Sequence, residues 1–343
     1  MTIHYQVECY PRYDRGNHYR LFLEAWAEHF ASGGQARLSP DTLANLYENN
    51  PAGEAVLAAA RDGEKWAGSL SAIPFRVRID RETVITAYQL SDAIVSPAYR
   101  RRGVLTRLAE FLTRELLARP QTVIFTFPNR RSRTAFLRNG YRRAGSLPTR
   151  FYLPAPSAPV YRLNPEDRTY RKLNCPVARY RRIGHDEAAE IISGRDTILP
   201  RLFRDREYLG WRYFQPPGEE RFRLLAIEPL PTGNPLVAAT ACHRYGRGKY
   251  TIFLELLPQT EEDKPHWLAG LLLALGRHSG CGLLYSNERL GGGLLSPAWG
   301  APLPTPLNPR PVEMLIYPKK GTGELQKQFL RAKFSTTDWL GFL

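Results

Sequence analysis

The segment from Val95 to Tyr141 constrains this chain more than any other. It opens Val95-Ser96-Pro97-Ala98-Tyr99-Arg100-Arg101-Arg102-Gly103-Val104-Leu105-Thr106. The apolar run Ala93-Ile94-Val95 just before it predicts the end of a buried strand. After it, Val104, Leu105, Leu108, Phe111, Leu112 and Leu116 recur at steps of three and four, which predicts an amphipathic helix. The Arg-Gly run is then the turn between that strand and the first turn of that helix. Backbone N–H groups at a helix start have no intrahelical partner and lie at the positive end of the macrodipole. A glycine there lets a ligand approach the backbone closely. The combination predicts an anion cradle, with phosphate as its natural occupant.

Charge points the same way. The chain carries a formal net charge of +15, and from Pro97 to Arg143 there are 12 arginines and no lysine against two glutamates. That segment, at a net +10, holds two-thirds of the excess charge and would attract a polyphosphate ligand. No aromatic residues interleave with the basic ones as they do in single-strand nucleic-acid binders, so no nucleic-acid partner is expected.

A second pattern follows the first. Val123-Ile124-Phe125-Thr126-Phe127 predicts a strand, and Asn129, Ser132, Phe136, Gly140 and Tyr141 follow it. Together the two patterns resemble the GCN5-related N-acetyltransferases, the GNAT superfamily. Arg100-x-x-Gly103-x-Leu105 is similar to that family's [Q/R]-x-x-G-x-[G/A], departing only at Leu105, where the family has a small residue. Asn129 to Tyr141 resembles its N-x-x-[A/S]…G-[F/Y] helix. The resemblance is strong over residues 40–152 and loose elsewhere. It implies an α+β fold, a mixed, mostly antiparallel sheet flanked by helices, and acetyl-coenzyme A as co-substrate with no metal. It implies that backbone amides from Arg101 through Gly103, Val104 and Leu105 to Thr106 hold the pyrophosphate. It also implies that Arg100 and Arg102 add charge, that Ile94 and Val95 align the pantetheine arm, and that Asn129 and Ser132 touch the arm near the sulfur. The family's tyrosine acid falls at Phe136, which has no proton to give, and Tyr141 reads as a packed ring. For the base, Asp92, three residues before Val95, is the first candidate and Glu54 the second.

The rest of the chain organises around this core. Helical patterns over residues 20–31 and 41–47 precede a hairpin signal at Asp62-Gly63, flanked by Glu54–Ala60 and Lys65–Ala72. Phe75 to Ile79 and Val84 to Val95 read as further strands, and the helix after the cradle must stop before Pro120. The strand that follows is expected to run parallel to its predecessor. Leu153 to Pro176, with Pro154, Pro156, Pro159 and Pro165, reads as a linker. The expected organisation is residues 1–153 as the catalytic domain, 154–176 as the linker and 177–343 as a degenerate second GNAT-like domain in tandem.

The second half repeats the element order: strands at 222–227, 236–242 and 249–257, a helix at 264–278, and strands at 282–285 and 312–317. Where the first half has Arg100 to Gly103, it has Glu261-Glu262-Asp263-Lys264, which would repel a pyrophosphate. Gly291-Gly292-Gly293 reads as a turn.

Four scattered cysteines (Cys9, Cys175, Cys242, Cys281) form no metal or disulfide spacing. The first residues lack a signal pattern, and the longest apolar stretch is too short for a membrane span. The expectation is a cytoplasmic N-acyltransferase, with no membrane partner, acting on a primary amine of a small-molecule acceptor, an anionic one being mildly favoured. A tRNA-dependent aminoacyl transferase of related fold and a non-catalytic acyl-coenzyme A binder stand as alternatives. Acceptor identity, acyl length and oligomeric state, a homodimer included, stay open.

Overall fold

A computed structural model of the chain describes residues 6–10, 12–31, 40–147, 150–153, 161–172, 175–193, 201–214, 222–230, 233–245, 248–257, 268–278, 283–286, 301–302, 312–319, 321 and 323–331. In chain order the first half runs β1 (Gln6–Tyr10), α1 (Arg15–Ala31), α2 (Pro40–Glu48), β2 (Val56–Asp62), β3 (Lys65–Arg78) and β4 (Val84–Val95). It continues with α3 (Val104–Leu117), β5 (Thr122–Thr126), α4 (Arg133–Arg138) and β6 (Arg142–Leu147). Local chemistry accounts for the punctuation. Asp14 caps α1 by accepting from the Asn17 amide at 3.1 Å. Gly63, at φ 60, turns β2 into β3. Phe75 to Arg78 belongs to β3 itself, which passes through Pro74 without a break. The proline is tolerated because β2 pairs with β3 only as far as Ala72, so no ladder bond calls for an N–H at Pro74, whose carbonyl accepts from Asn50 Nδ2 at 2.9 Å.

The second half runs β7 (Arg150–Leu153), β8 (Tyr161–Asn164), β9 (Thr169–Lys172), β10 (Cys175–Ile183), α5 (His185–Ile192), β11 (Arg201–Leu202) and α6 (Arg206–Tyr213). There follow β12 (Phe222–Pro229), β13 (Leu236–Tyr245), β14 (Gly248–Leu257), α7 (Leu268–His278), β15 (Leu283–Ser286), β16 (Ala301–Pro302), β17 (Val312–Ile316) and α8 (Gly323–Arg331).

Two mixed sheets result. The first is ordered β1-β2-β3-β4-β5-β17-β6, with β11 pairing to β3, and the second β16-β7-β15-β14-β13-β12-β10-β9-β8. Each contains an antiparallel meander, a crossover helix and a parallel strand: β4 with β5 in one, β14 with β15 in the other. Each also takes one strand from the far part of the chain. β17 sits between β5 and β6, while β7 sits between β15 and β16.

This exchange corrects the expected division of the chain. Residues 150–153 belong to the second sheet and residues 312–316 to the first. The expected linker also carries structure, because Tyr161–Asn164 and Thr169–Lys172 form a hairpin on the edge of the second sheet. Tyr161-Arg162-Leu163-Asn164 alternates as a strand does, and Pro165 falls in the turn that follows, where its fixed φ is an advantage. Glu261 to Lys264, Asn287 and Gly291 to Gly293 lie outside the described residues.

Packing follows from the faces. Helix α3 buries Leu108, Leu112 and Leu116 on the outer face of the first sheet, each worth roughly 1.5–3 kcal/mol of transfer free energy. Helix α7 does the same on the second sheet with Leu268, Leu271 and Leu272. Between the sheets, α1 and α2 meet α5 and α6 in one continuous core that holds Leu21, Leu43 and Tyr47 together with Ala188, Leu209 and Trp211. Trp211 Nε1 donates to the Asn45 carbonyl at 2.9 Å, so a buried indole of the second half is tied to α2 of the first. No described helix is long and apolar enough to cross a membrane.

Candidate active site

The parallel pairing of β4 with β5 extends only from Thr86↔Thr122 to Leu90↔Thr126. Thr126 Oγ1 closes it by donating to the Leu90 carbonyl at 2.8 Å. Beyond Leu90, β4 continues to Val95 alongside β3 alone, while β5 turns away toward α4. The two chains part as a wedge. Asn139 Nδ2 donates to the Thr106 carbonyl at 2.7 Å, which fixes the end of α4 against the first turn of α3.

The cradle sits at the strand end. A single 3₁₀ turn (Pro97–Tyr99) leads into it, Arg101 has φ 64, and Gly103 caps α3 with φ 77 and ψ 9. No side chain caps this helix, and the bond from the Arg107 amide to the Gly103 carbonyl (3.1 Å) is the first of its ladder. The amides of Val104, Leu105 and Thr106 therefore point out of the helix end. A Cβ at Gly103 would meet nothing within 4 Å, so the approach to the backbone is open.

Gly68 sets the height of the cradle. A Cβ there would lie 2.9 Å from both the Ile94 carbonyl oxygen and Val104 Cγ1. Only glycine lets the first turn of α3 seat directly on the end of β4. Sequence reasoning passed over Gly68, although a glycine inside an apolar strand signals such a close approach.

The arginines divide their roles. Arg100, expected to contact phosphate, donates through Nη2 to the Ala25 carbonyl at 3.1 Å. Ser96 Oγ donates to Glu24 Oε1 at 2.7 Å, so α1 braces the turn twice. Arg102 lies over the Tyr99 ring at 5.6 Å, and Arg101, Arg102 and Gly103 are exposed at the mouth. Ile94 is buried and Val95 partly so.

Asn129 Oδ1 accepts from the amides of Arg131 (2.9 Å) and Ser132 (3.0 Å), so its side chain builds the turn before α4. Ser132 is buried beside it. Phe136 is 1% exposed and packs edge-on against Tyr141, whose hydroxyl shares a 2.7 Å hydrogen bond with Thr113 Oγ1. Burial pushes the Tyr141 phenol well above its ordinary range, and the residue sits in the core as a packed ring.

Asp92 stands in a β-bulge. The β3–β4 register passes from Ser69↔Ile94 to Ser71↔Ser91, one residue longer on β4, and Asp92 has φ 50. Such a conformation costs an L-residue roughly 1–2 kcal/mol, and bulges redirect side chains. The carboxylate points back toward α2, where Oδ2 accepts from the Tyr47 hydroxyl. Burial raises its pKa, and hydrogen bonds from Tyr47 and Ser91 partly oppose that rise. Glu54, the second candidate base, is exposed and is not among the groups acting on Asp92. The structure brings Asp92, Ile94, Val95 and the cradle onto one strand end, and Glu54 stands exposed just before β2. It adds Tyr47, Tyr13 and His18, which no sequence pattern marked.

Residues 14–145 match a family model described as an acetyltransferase (GNAT) domain. These residues form a GNAT acetyltransferase domain. Three solved structures are similar over most of the chain. A protein of unknown function from Enterococcus faecalis V583, described as a probable N-acyltransferase, is 12% identical, with a TM-score of 0.59 over 91% of this chain and 72% of that one. A GCN5-related N-acetyltransferase from Anabaena variabilis gives 12%, 0.56, 91% and 72% in the same order. Eis1 from Mycobacterium abscessus gives 13%, 0.53, 90% and 73%. At these identities the likeness is one of fold. No curated protein matches the sequence.

Proposed function

We propose that this chain transfers an acetyl or short acyl group from acetyl-coenzyme A to a primary amine of a small-molecule acceptor, by direct attack. One observation carries the reading: an uncapped helix start with left-handed Gly103 stands at the open end of a β4/β5 wedge inside a GNAT domain. Acetyl-coenzyme A, when bound, would supply the thioester carbonyl that the amine attacks and the coenzyme A thiolate that leaves. The amides of Val104 to Thr106 would hold its pyrophosphate, with Arg101 and Arg102 adding charge at the mouth. Backbone groups of Ile94 and Val95, on the side of β4 that lacks a partner beyond Leu90, would align the arm. Asp92 takes the proton that the amine loses. Nothing at Phe136 donates a proton, so the thiolate leaves with its charge or takes a proton from solvent.

The second half is a degenerate copy of the same unit. Its shared element order supports this, and so does the sequence, in which Glu261-Glu262-Asp263-Lys264 follows β14 as Arg100 to Gly103 follows β4. An anionic acceptor and a cytoplasmic setting belong to the same proposal. Incubating the full chain with acetyl-coenzyme A and a panel of primary amines, with thiol release as the readout, tests it. Turnover on at least one amine is expected. Tight coenzyme binding with no turnover on any would favour a non-catalytic acyl-coenzyme A binder, the reading that buried Phe136 supports. Salt-dependent RNA binding without coenzyme binding would favour tRNA-dependent transfer.

A further inference from the structure

We propose that Tyr47 is the positioning residue for the Asp92 carboxylate, held in place by Tyr13 and His18 of the segment that opens α1. This rests on the reading of Asp92 as the base that receives the amine proton.

Tyr47 lies on α2, only 1% exposed, and its phenol would be a costly buried donor without a partner. Its partner is Asp92 Oδ2, which reaches it only because the bulge turns residue 92 into the left-handed region. A regular β4 would send that side chain elsewhere. A strained residue that meets a buried hydroxyl on another element is a built contact.

The tyrosine is itself fixed from behind. The Tyr13 ring packs on it at 4.6 Å and the His18 ring meets it edge-on at 5.6 Å. His18 Nδ1 and the Tyr13 hydroxyl share a 2.9 Å hydrogen bond. Burial lowers the His18 pKa to about 4, so the imidazole is neutral and brings no charge near Asp92. Ser69 and Ser71 of β3 are fully buried on the same side. Ser71 lies beside Tyr47. The other titratable groups nearby, Asp14, Arg15 and Glu48, act on Tyr13 from outside the contact.

The hydrogen bond from Tyr47 favours the charged carboxylate, whereas burial favours the neutral acid. Removing it must therefore raise the pH at which Asp92 deprotonates. The test uses full-length protein labelled with [γ-13C]aspartate, the Asp92 signal being assigned by its loss in Asp92→Asn. In Tyr47→Phe the Asp92 midpoint should move up by about one pH unit or more, with the melting transition still cooperative. Tyr13→Phe should move it less. Thiol release from acetyl-coenzyme A with hydroxylamine as acceptor should show its acid limb displaced upward by the same amount. An unchanged midpoint in folded Tyr47→Phe overturns the proposal and leaves Asp92 as base if Asp92→Asn loses thiol release. Wild-type thiol release by Asp92→Asn, with coenzyme still bound, overturns the base assignment and this proposal with it.

Discussion

The two halves bend the same strand at the same place and put different chemistry there. In the first half the β3–β4 ladder gains its extra residue at the bulge holding Asp92, three positions before Val95. In the second, the β13–β14 ladder passes from Ala239↔Glu255 to Thr240↔Phe253, so the extra residue is Leu254, three positions before Leu257. Opposite these strand ends stand Gly68↔Val95 in one half and Val237↔Leu257 in the other. A carboxylic acid and a glycine in the first half correspond to a leucine and a valine in the second. Apolar patterning, pairing and the crossover helix suffice for the architecture, and activity depends on a few positions that the architecture leaves unconstrained.

The largest effect concerns whether the halves can be compared as separate bodies at all. Trp211→Ala removes a buried indole that joins α6 to α2 and should cost about 3–5 kcal/mol. Because the core is continuous, both sheets should melt in one transition in wild type and variant alike. Two separated calorimetric transitions would mean that the halves are independent.

A somewhat smaller effect distinguishes the first half by pH. His18 is buried neutral with its pKa lowered from 6.5 to about 4. Between those values the unfolded chain binds the extra proton, so stability is full above about pH 6.5 and falls as pH drops toward 4. The total loss is about 3 kcal/mol. Urea midpoints from pH 7.5 to 4.5 should show this slope, and His18→Phe should remove most of it.

The smallest effect converts one half toward the other. Gly68→Val copies the residue found at Val237 and forces a Cβ to within 2.9 Å of the Ile94 carbonyl and Val104. The expected destabilisation is about 1–3 kcal/mol. Coenzyme affinity should fall further than stability does, because α3 must rise off the strand end. Equal affinity in isothermal titration would remove Gly68 from the account.

Much of this was legible in the sequence because it is written locally. The 3.6-residue period of α3, the Asp62-Gly63 turn, the stop before Pro120 and the glycine of the cradle each depend on residues within a few positions of one another. What escaped was non-local. The exchange of β7 and β17 is decided by which sheet edge offers a partner, and nothing in Arg150–Leu153 or Val312–Ile316 records that. Asp92 stood out by its spacing from Val95, but its partner Tyr47 lies 45 positions earlier and meets it only through the bulge.

The central claim is that the Arg-Gly turn holds the phosphates of coenzyme A. Thermal melts of the full chain with and without saturating acetyl-coenzyme A test it most directly, with 3′-dephospho-coenzyme A and the variant Gly103→Glu alongside. Ligand at about a hundred times its dissociation constant should raise the melting temperature by about 4 °C. The rise should shrink without the ribose phosphate and vanish in folded Gly103→Glu. No rise in the wild type, or an equal rise in Gly103→Glu, would contradict the account.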